Sequence, residues 1–498
     1  MSTALAVLTC VTADFQLARA QSVSGSGHVV PGMPTPPLAT WDLNDKDLFV
    51  GLYTVGELSI EDGGKVSNVD GYIAYAVGSG GTVTVTGSGS TWTNSGKLRV
   101  GSAGDGTLII KDGGKVSNLD GSIGTGAGHT STATVSGDGS TWTNSGNLTI
   151  GNYGTGTLTI DDGGKVSADH VVLGLNSGSG TVNLNGSTGS GRGVLETAYV
   201  ANSGDGTVAL NFDGGILRAT ENQASYLQNF GDITLGTGGL WFDTNSFDIS
   251  IGADTTFSGT SSINKIGPGT LSLIGDNSGF TGATTVSGGT LLVGDTSGSG
   301  TLGGTVTVEN GGTVGGSGTI GAVTLASGAT VAPGNSIGTL NVAGDITFSS
   351  GSTDEVEVDP AGADSDSIHA TGMAHLNDAS VVHVGLDGSY DPFSSYTILT
   401  ADGGIDGTFG DVTSVYAFLT SELSYGANTV DLILTRNDID FVDKARTRNQ
   451  RATAEGAESL DPGNEVYNAI AALPDTDAVI RDSFDQLSGE IHASAKTA

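Results

Sequence analysis

"IKDGGKVSNLDGSIG" (residues 110–124) packs two acids, two lysines and a glycine pair into a short span, and it is not unique in the chain. Its centre occurs as "DGGKVSN" at 62–68 and 112–118 and as "DGGKVSA" at 162–168, 50 residues apart each time. "GSTWTNSGKLRVG" (89–101) returns with the same spacing as "GSTWTNSGNLTIG" (139–151). Worn copies flank these at 40–51 and 201–215. Self-similarity on this scale predicts stacked units that share one continuous core.

Each 50-residue unit divides again, because "GTVTVTGSGSTW" starts at Gly81 and "GTLIIKDGGKVS" at Gly106. Each half alternates apolar and polar residues, turns at a glycine pair or Gly-Ser, and runs a second short strand such as "KVSN". Two or three short strands in about 25 residues predict an all-β fold, one coil of a right-handed parallel β-helix (solenoid), with a short helical C-terminal segment. Asp62-Gly63-Gly64, Asp112-Gly113-Gly114 and Asp162-Gly163-Gly164 read as its tight turns, stacked two coils apart along one edge. Residues 51–435 would make a rod of about 70 to 75 Å.

Composition agrees, with 83 glycines in 498 residues, 6% aromatics and a net charge of -35. No Lys or Arg lies between Lys265 and Arg436. So acidic a chain repels nucleic acid and anionic membrane, and both are poor partners. The one cysteine, Cys10, lies in the apolar run Ala4–Val11. With Ala18-Arg19-Ala20 before Gln21, residues 1–20 read as a signal peptide, although no Lys or Arg precedes the run; Leu8-Thr9-Cys10 is a less favoured lipoprotein anchor.

Further along, "KIGPGTLSLIGDNSGFTGATTVSGGTLLVGD" (265–295) resembles the passenger-associated strand repeat of bacterial autotransporters, at Gly269-Thr270-Leu271, Phe280-Thr281-Gly282 and Gly288-Gly289-Thr290-Leu291. The segment 311–348 is similar to the C-terminal passenger region, with "APGNSIGTL" at 332–340 supplying Pro333, Gly334, Asn335, Ser336 and Gly338. Residues 390–409 resemble the autochaperone region, and "FDQLSGEIHAS" (484–494) resembles the lead-in to a translocator barrel. The resemblance implies an exported passenger displayed at the cell surface or outside the cell, or left in the periplasm if no barrel is available. A family member would continue past Ala498 into membrane strands, so outer-membrane association would need a barrel that this chain lacks, either as a fragment or through loss of its own pore.

The expected organisation is a signal peptide (1–20), an N-terminal cap (21–50), a β-helix of 50-residue repeats (51–220) and a β-helix of passenger repeats (221–350). An autochaperone-like β region (351–435) and a linker with helical lead-in (436–498) complete it. The large side chains between Val356 and Leu434 mark the expected folding nucleus. In the last segment Val466, Ile470 and Leu473, then Val479, Phe484 and Leu487, are expected on one helical face, either threading a pore or capping the rod.

Few side chains suggest chemistry. Trp92 and Trp142 occupy equivalent repeat positions and form a candidate sugar-stacking ladder, although packing between coils is the favoured reading; Asn94 and Asn144 form a second candidate ladder at a turn. His369, His375 and His383 fit no compact metal motif and read as solvated. Asp354, Glu355, Glu357, Asp359, Asp364 and Asp366 read as a solvated acidic loop, without the nonapeptides of calcium-binding β-rolls. No catalytic residue, cofactor or metal ligand is assigned.

The leading function is a non-enzymatic surface rod that adheres to a host cell-surface or extracellular-matrix component, nearest in resemblance to monomeric autotransporter adhesins. A β-helix polysaccharide enzyme of pectate-lyase type is the alternative, and would need carboxylates, or a carboxylate and an arginine, grouped on adjacent coils. An inert spacer or export module is the third reading.

Overall fold

The computed structural model describes residues 22–34, 38–187, 189, 191–204, 206–359, 364–385 and 393–489. The proposed signal peptide with Cys10, and the last residues of the barrel lead-in, lie outside them.

Within them the chain winds into a parallel β-helix of about 13 turns and roughly 25 residues per coil. Each repeat coil has three sides. In the first they are Gly56–Glu61, Lys65–Asn68 and Gly71–Ile73. Each side pairs in parallel with the same side one coil on, so Leu58 stands beside Val83, Val66 beside Trp92 and Ile73 beside Val100. Alternate residues point inward, and the resulting stacks are closed to solvent, as in Ile60, Val85, Ile110, Val135 and Ile160. Successive strands thus satisfy one another's backbone groups while the interior is purely side-chain packing.

The 50-residue period, twice the coil, has a packing cause. On the second side Val66, Trp92, Val116 and Trp142 follow one another in register. On the third, Gly71, Leu98, Gly121 and Leu148 do the same. A Cβ on Gly71 would come within 2.8 Å of Trp92 Cζ2. The indole therefore occupies space that the glycine vacates, and large and small residues must alternate from coil to coil.

Both ends are closed. Ser22–Gly27 and Val29–Val30 run antiparallel to the first coil and cover its open edge. At the other end Phe393–Ala401 and Leu419–Tyr425 both pair antiparallel with Thr429–Arg436. Coils before this closure depart from the repeat length: 17 residues separate the paired Val314 and Val331, and 31 separate Val381 and Val412. About 13 turns at about 4.8 Å give a rod of about 60 Å, shorter than the sequence suggested because the last residues of that span form the antiparallel closure.

The C-terminal segment packs on this closure. Helices α1 (Arg448–Glu458), α2 (Glu465–Ala471) and α3 (Asp477–Ser488) follow a 3-10 turn at Phe441–Lys444. Phe441 stacks against Phe418 and Tyr467, at 4.8 and 5.1 Å between ring centres. The buried residues of α2 and α3 are Tyr467, Ile470, Ala471, Ile480 and Phe484, whereas Val466, Val479 and Leu487 are exposed. The expected apolar face is therefore rotated: the helices bury Tyr467, Ile480 and Phe484 in place of Val466, Val479 and Leu487. No helix among the described residues is long and apolar enough to cross a membrane.

Candidate functional site

The Asp-Gly-Gly turns are architecture in geometry. Asp62, Asp112 and Asp162 have φ of 51, 54 and 48°, and Gly63, Gly113 and Gly163 have 83, 88 and 85°. Gly64, Gly114 and Gly164 donate to the carbonyls of Glu61, Lys111 and Asp161, closing each turn. Two positive φ in succession mark a type I′ turn, which Asp-Gly adopts with least strain. The second glycine is fixed by crowding, since a Cβ on Gly114 would lie 2.3 Å from the Val85 carbonyl oxygen. Strand register puts the three aspartates along one edge, two coils apart, with Gly87 and Gly137 on the coils between.

Trp92 and Trp142 do not offer a sugar-stacking surface. Both are fully buried. Each indole Nε1 donates 2.7 Å to an asparagine one coil earlier, Asn68 for Trp92 and Asn118 for Trp142. Asn94 and Asn144 belong to an internal amide ladder in which Asn68 donates to Asn94 at 2.8 Å and Asn118 to Asn144 at 2.7 Å. Asn68 and Asn118 were missed as rungs, although they end the repeated "KVSN".

The acidic stretch and the histidines also need correction. Thr353–Val358 is a strand whose inward residues are Asp354, Val356 and Val358. Asp354 is fully buried between Val331 and Val381, and neither carboxyl oxygen has a hydrogen-bond partner among the described residues. Burial, reinforced by Asp366 and Glu355, pushes its carboxyl well above the usual range. Asp366 accepts from the backbone of Gly338 and Glu357 at 3.0 Å each, and burial raises it to about 7. His383 is buried beside Ser414, 3.2 Å from Nδ1 to Oγ, and desolvation lowers it to about 4. His369 and His375 instead face Asp402 and Asp406 at the surface. His129 and His170 face Asp105 and Asp169, and among the described residues no group of three or more His, Cys, Asp and Glu could hold a metal.

One charged group appears once instead of recurring. Arg218 binds Glu196 at 3.0 Å and Asp243 at 2.7 Å, and Lys165 reaches Glu196 at 2.6 Å. Glu196, Arg218 and Asp243 are register partners on three consecutive coils of the second side. Each carboxylate is engaged by the arginine between them, which makes the group a closed charge ladder.

The third side carries an open groove of about 460 Å³. Its outward residues in register are Phe49, Tyr72, Arg99, Ser122 and Thr149. Phe49 and Tyr72 stack at 4.8 Å, and the Arg99 guanidinium lies over Tyr72, 5.7 Å from the ring centre. After Arg99 the ladder drops to the short Ser122 and Thr149, which make a floor. Lys97, Asp120 and Asn147 line the edge where the strands begin, and Thr125, Asn152 and Tyr153 the edge where they end. Lys97 pairs with Asp120 at 3.6 Å, whereas Arg99 has no ion-pair partner among the described residues. Tyr153 is 57% exposed and holds φ at 69°.

The motif at 332–340 forms a tight corner. Gly316 and Gly334 exchange backbone hydrogen bonds of 3.1 and 3.0 Å, and Gly334 and Ser336 have φ of 86 and 126°. Asn335 donates to the Gly294 carbonyl at 3.2 Å, and the Gly338 amide donates to buried Asp366. Pro333 ends the strand that enters the corner. Nearby, Lys265 is fully buried, with Nζ donating 2.8 Å to the carbonyls of Gly267 and Gly288, and burial lowers it to about 8.

Residues 263–293 match the passenger-associated-transport-repeat. An extracellular serine protease of Serratia marcescens is 38% identical over 246 residues, which is 47% of this chain and 22% of the protease. The crystal structure of a hyper-glycosylated TibA fragment aligns with 75% of this chain and 99% of its own, at 17% identity and a TM-score of 0.30.

Proposed function

We propose that this chain is an autotransporter passenger-type β-helix, a secreted or cell-surface rod that works without catalysis and adheres to a host cell-surface or matrix component. The observation that supports adhesion best is the open third side, where aromatic rings, one free guanidinium and short hydroxyl residues face solvent over consecutive coils. Rigid aromatic and arginine side chains on a preformed surface are the groups that dominate recognition. The core beneath them is continuous, so the face is held without ordering cost on binding.

The polysaccharide-enzyme reading gains one specific observation, the grouping of Glu196, Arg218 and Asp243 on adjacent coils. General acid or base work needs a carboxyl able to reach the proton it moves. Here Arg218 engages both. The serine-protease relative extends far beyond the matched stretch, and His383 is closed to a peptide substrate by burial.

The test compares binding of the purified chain to host cells and matrix with release of products from polyuronates and peptides. Saturable binding without turnover is the expected outcome. Turnover of polyuronate abolished by Glu196→Gln or Asp243→Asn, or of peptide abolished by a serine-directed inhibitor, would overturn the non-enzymatic reading.

A further inference from the structure

We infer that the third-side groove is a binding site for a sugar carrying a single carboxylate, a sialic or uronic acid at a glycan end. This assignment rests on the adhesive reading and supplies its ligand chemistry.

The groove lies where the two long repeat copies diverge. "GSTWTNSGKLRVG" and "GSTWTNSGNLTIG" share every inward residue but one conservative exchange, Val100 for Ile150. The outward positions change more, Lys97 to Asn147 and Arg99 to Thr149. On the intervening coils Tyr72 becomes Ser122 and Tyr75 becomes Thr125. All four replacements line the groove. Packing fixes the inner residues of each copy, so the outer ones are where a site can be built on an otherwise repeated scaffold.

Tyr153 adds an independent sign. It stands where the preceding copy has Ala103, yet its backbone lies in the left-handed region, which a bulky side chain occupies only under strain. Glycine would fill that position without strain. A tyrosine kept there, with its ring largely in solvent, points to a use for the ring.

The chemistry selects the ligand. Arg99 presents a planar fork to the groove, suited to a carboxylate held by two parallel hydrogen bonds. It lies over Tyr72 at 5.7 Å from the ring centre and has no ion-pair partner among the described residues. Asn147, Thr149, Ser122 and Asp120 offer the mixed donors and acceptors that sugar hydroxyls need. Tyr153 can cover an apolar sugar face at the rim. The net charge of -35 disfavours a polyanion such as a sulfated chain, because one guanidinium cannot offset that field. One carboxylate on an otherwise neutral sugar meets only the local positive group.

The experiment titrates the full chain with sialyllactose, a uronic-acid disaccharide, lactose and heparin, read by saturation-transfer NMR and calorimetry. Binding of either or both carboxylated sugars, with lactose at least tenfold weaker, is expected; the two acidic arms tell which source the groove accepts. Arg99→Gln and Tyr153→Gly should each lower that affinity at least tenfold. Tyr153→Gly relieves backbone strain, so its thermal midpoint should not fall, which separates lost binding from lost fold. Equal binding of lactose, preference for heparin, absence of binding to all four, or unchanged affinity in both variants would overturn the inference. Host-cell adhesion that survives in both variants, together with absent sugar binding, sinks the groove assignment alone; sugar binding without any host-cell or matrix adhesion sinks the adhesive function and leaves the groove standing.

Discussion

Trp142 donates its indole N–H to Asn118 Oδ1 across 2.7 Å, from one coil to the coil before it, and Asn118 passes the chain of bonds on to Asn144 at 2.7 Å. Both residues are closed to solvent. Asn118→Ala therefore orphans the Trp142 donor and the Asn144 acceptor, at about 1–3 kcal/mol for each buried group left unpaired. Trp142→Phe leaves Asn118 Oδ1 unpaired and also removes buried ring volume from the core. Urea unfolding of both single variants and of the pair should show a coupling of about 1 kcal/mol. A pair whose effects simply add would mean that the indole bond contributes nothing beyond packing.

The three residues of the recurring turn should respond differently to substitution. Asp112→Gly removes a strained side chain and should shift stability by less than about 1 kcal/mol. Gly113→Ala forces a Cβ onto a residue at φ 88°, a cost of about 1–3 kcal/mol. Gly114→Ala should be worst of the three, because its Cβ meets the Val85 carbonyl at 2.3 Å and the backbone of two coils must part. Thermal midpoints in that order check the argument. A Gly114→Ala chain as stable as its parent would show that the coils are looser than drawn.

The coil and its edges were legible in the sequence because the turns need particular residues and the copies repeat them. Asp62, Asp112 and Asp162 betray a register that no single copy could show. The internal acid and histidine were not read, although strand alternation marked them: in "TDEVEV" Val356 and Val358 set the inward phase, and Asp354 shares it. The run of acids in sequence suggested solvent and masked that phase. His383 falls in step with inward Val381 for the same reason. Buried Lys265 lies within the passenger repeat, where its partners are backbone carbonyls that sequence does not display. The groove stayed hidden because its floor and walls come from coils tens of residues apart; comparing where the copies differ, instead of where they agree, would have located it.

Lys265 should prove to be a structural pin. Its Nζ joins the carbonyls of Gly267 and Gly288, which belong to turns on successive coils. Lys265→Met keeps the apolar stem but abandons both carbonyls, so a loss of about 1–3 kcal/mol is expected. Because burial lowers the folded value to about 8, the folded chain binds fewer protons than the unfolded chain between that value and the free lysine range. Parental stability should therefore rise with pH from about 8 to about 10. Lys265→Met should lack that rise, and denaturation midpoints across the range would reveal it. A rise that persists in the variant would assign the effect to another group.

The buried acids near the closure predict a dependence of the opposite sign at lower pH. Asp354 and Asp366 have folded values above their unfolded ones, so the folded chain holds the extra protons and each contribution is lost as pH rises toward the folded value, about 7 for Asp366. His383, lowered to about 4, acts the other way: from about 4 to about 6.5 the unfolded chain binds more protons, and stability rises with pH. Two falling contributions against one rising one leave a net fall in stability as pH rises through that window. Asp354→Val puts a methyl pair between Val331 and Val381 and removes the two unpartnered oxygens. It should stabilise the chain by more than about 1 kcal/mol near neutral pH and flatten the dependence, since Asp366 and His383 then offset each other. Urea midpoints of parent and variant at about pH 4.5, 5.5 and 6.5 decide the matter. A variant that keeps the parental slope would mean that Asp354 is not the buried neutral acid at the centre of this region.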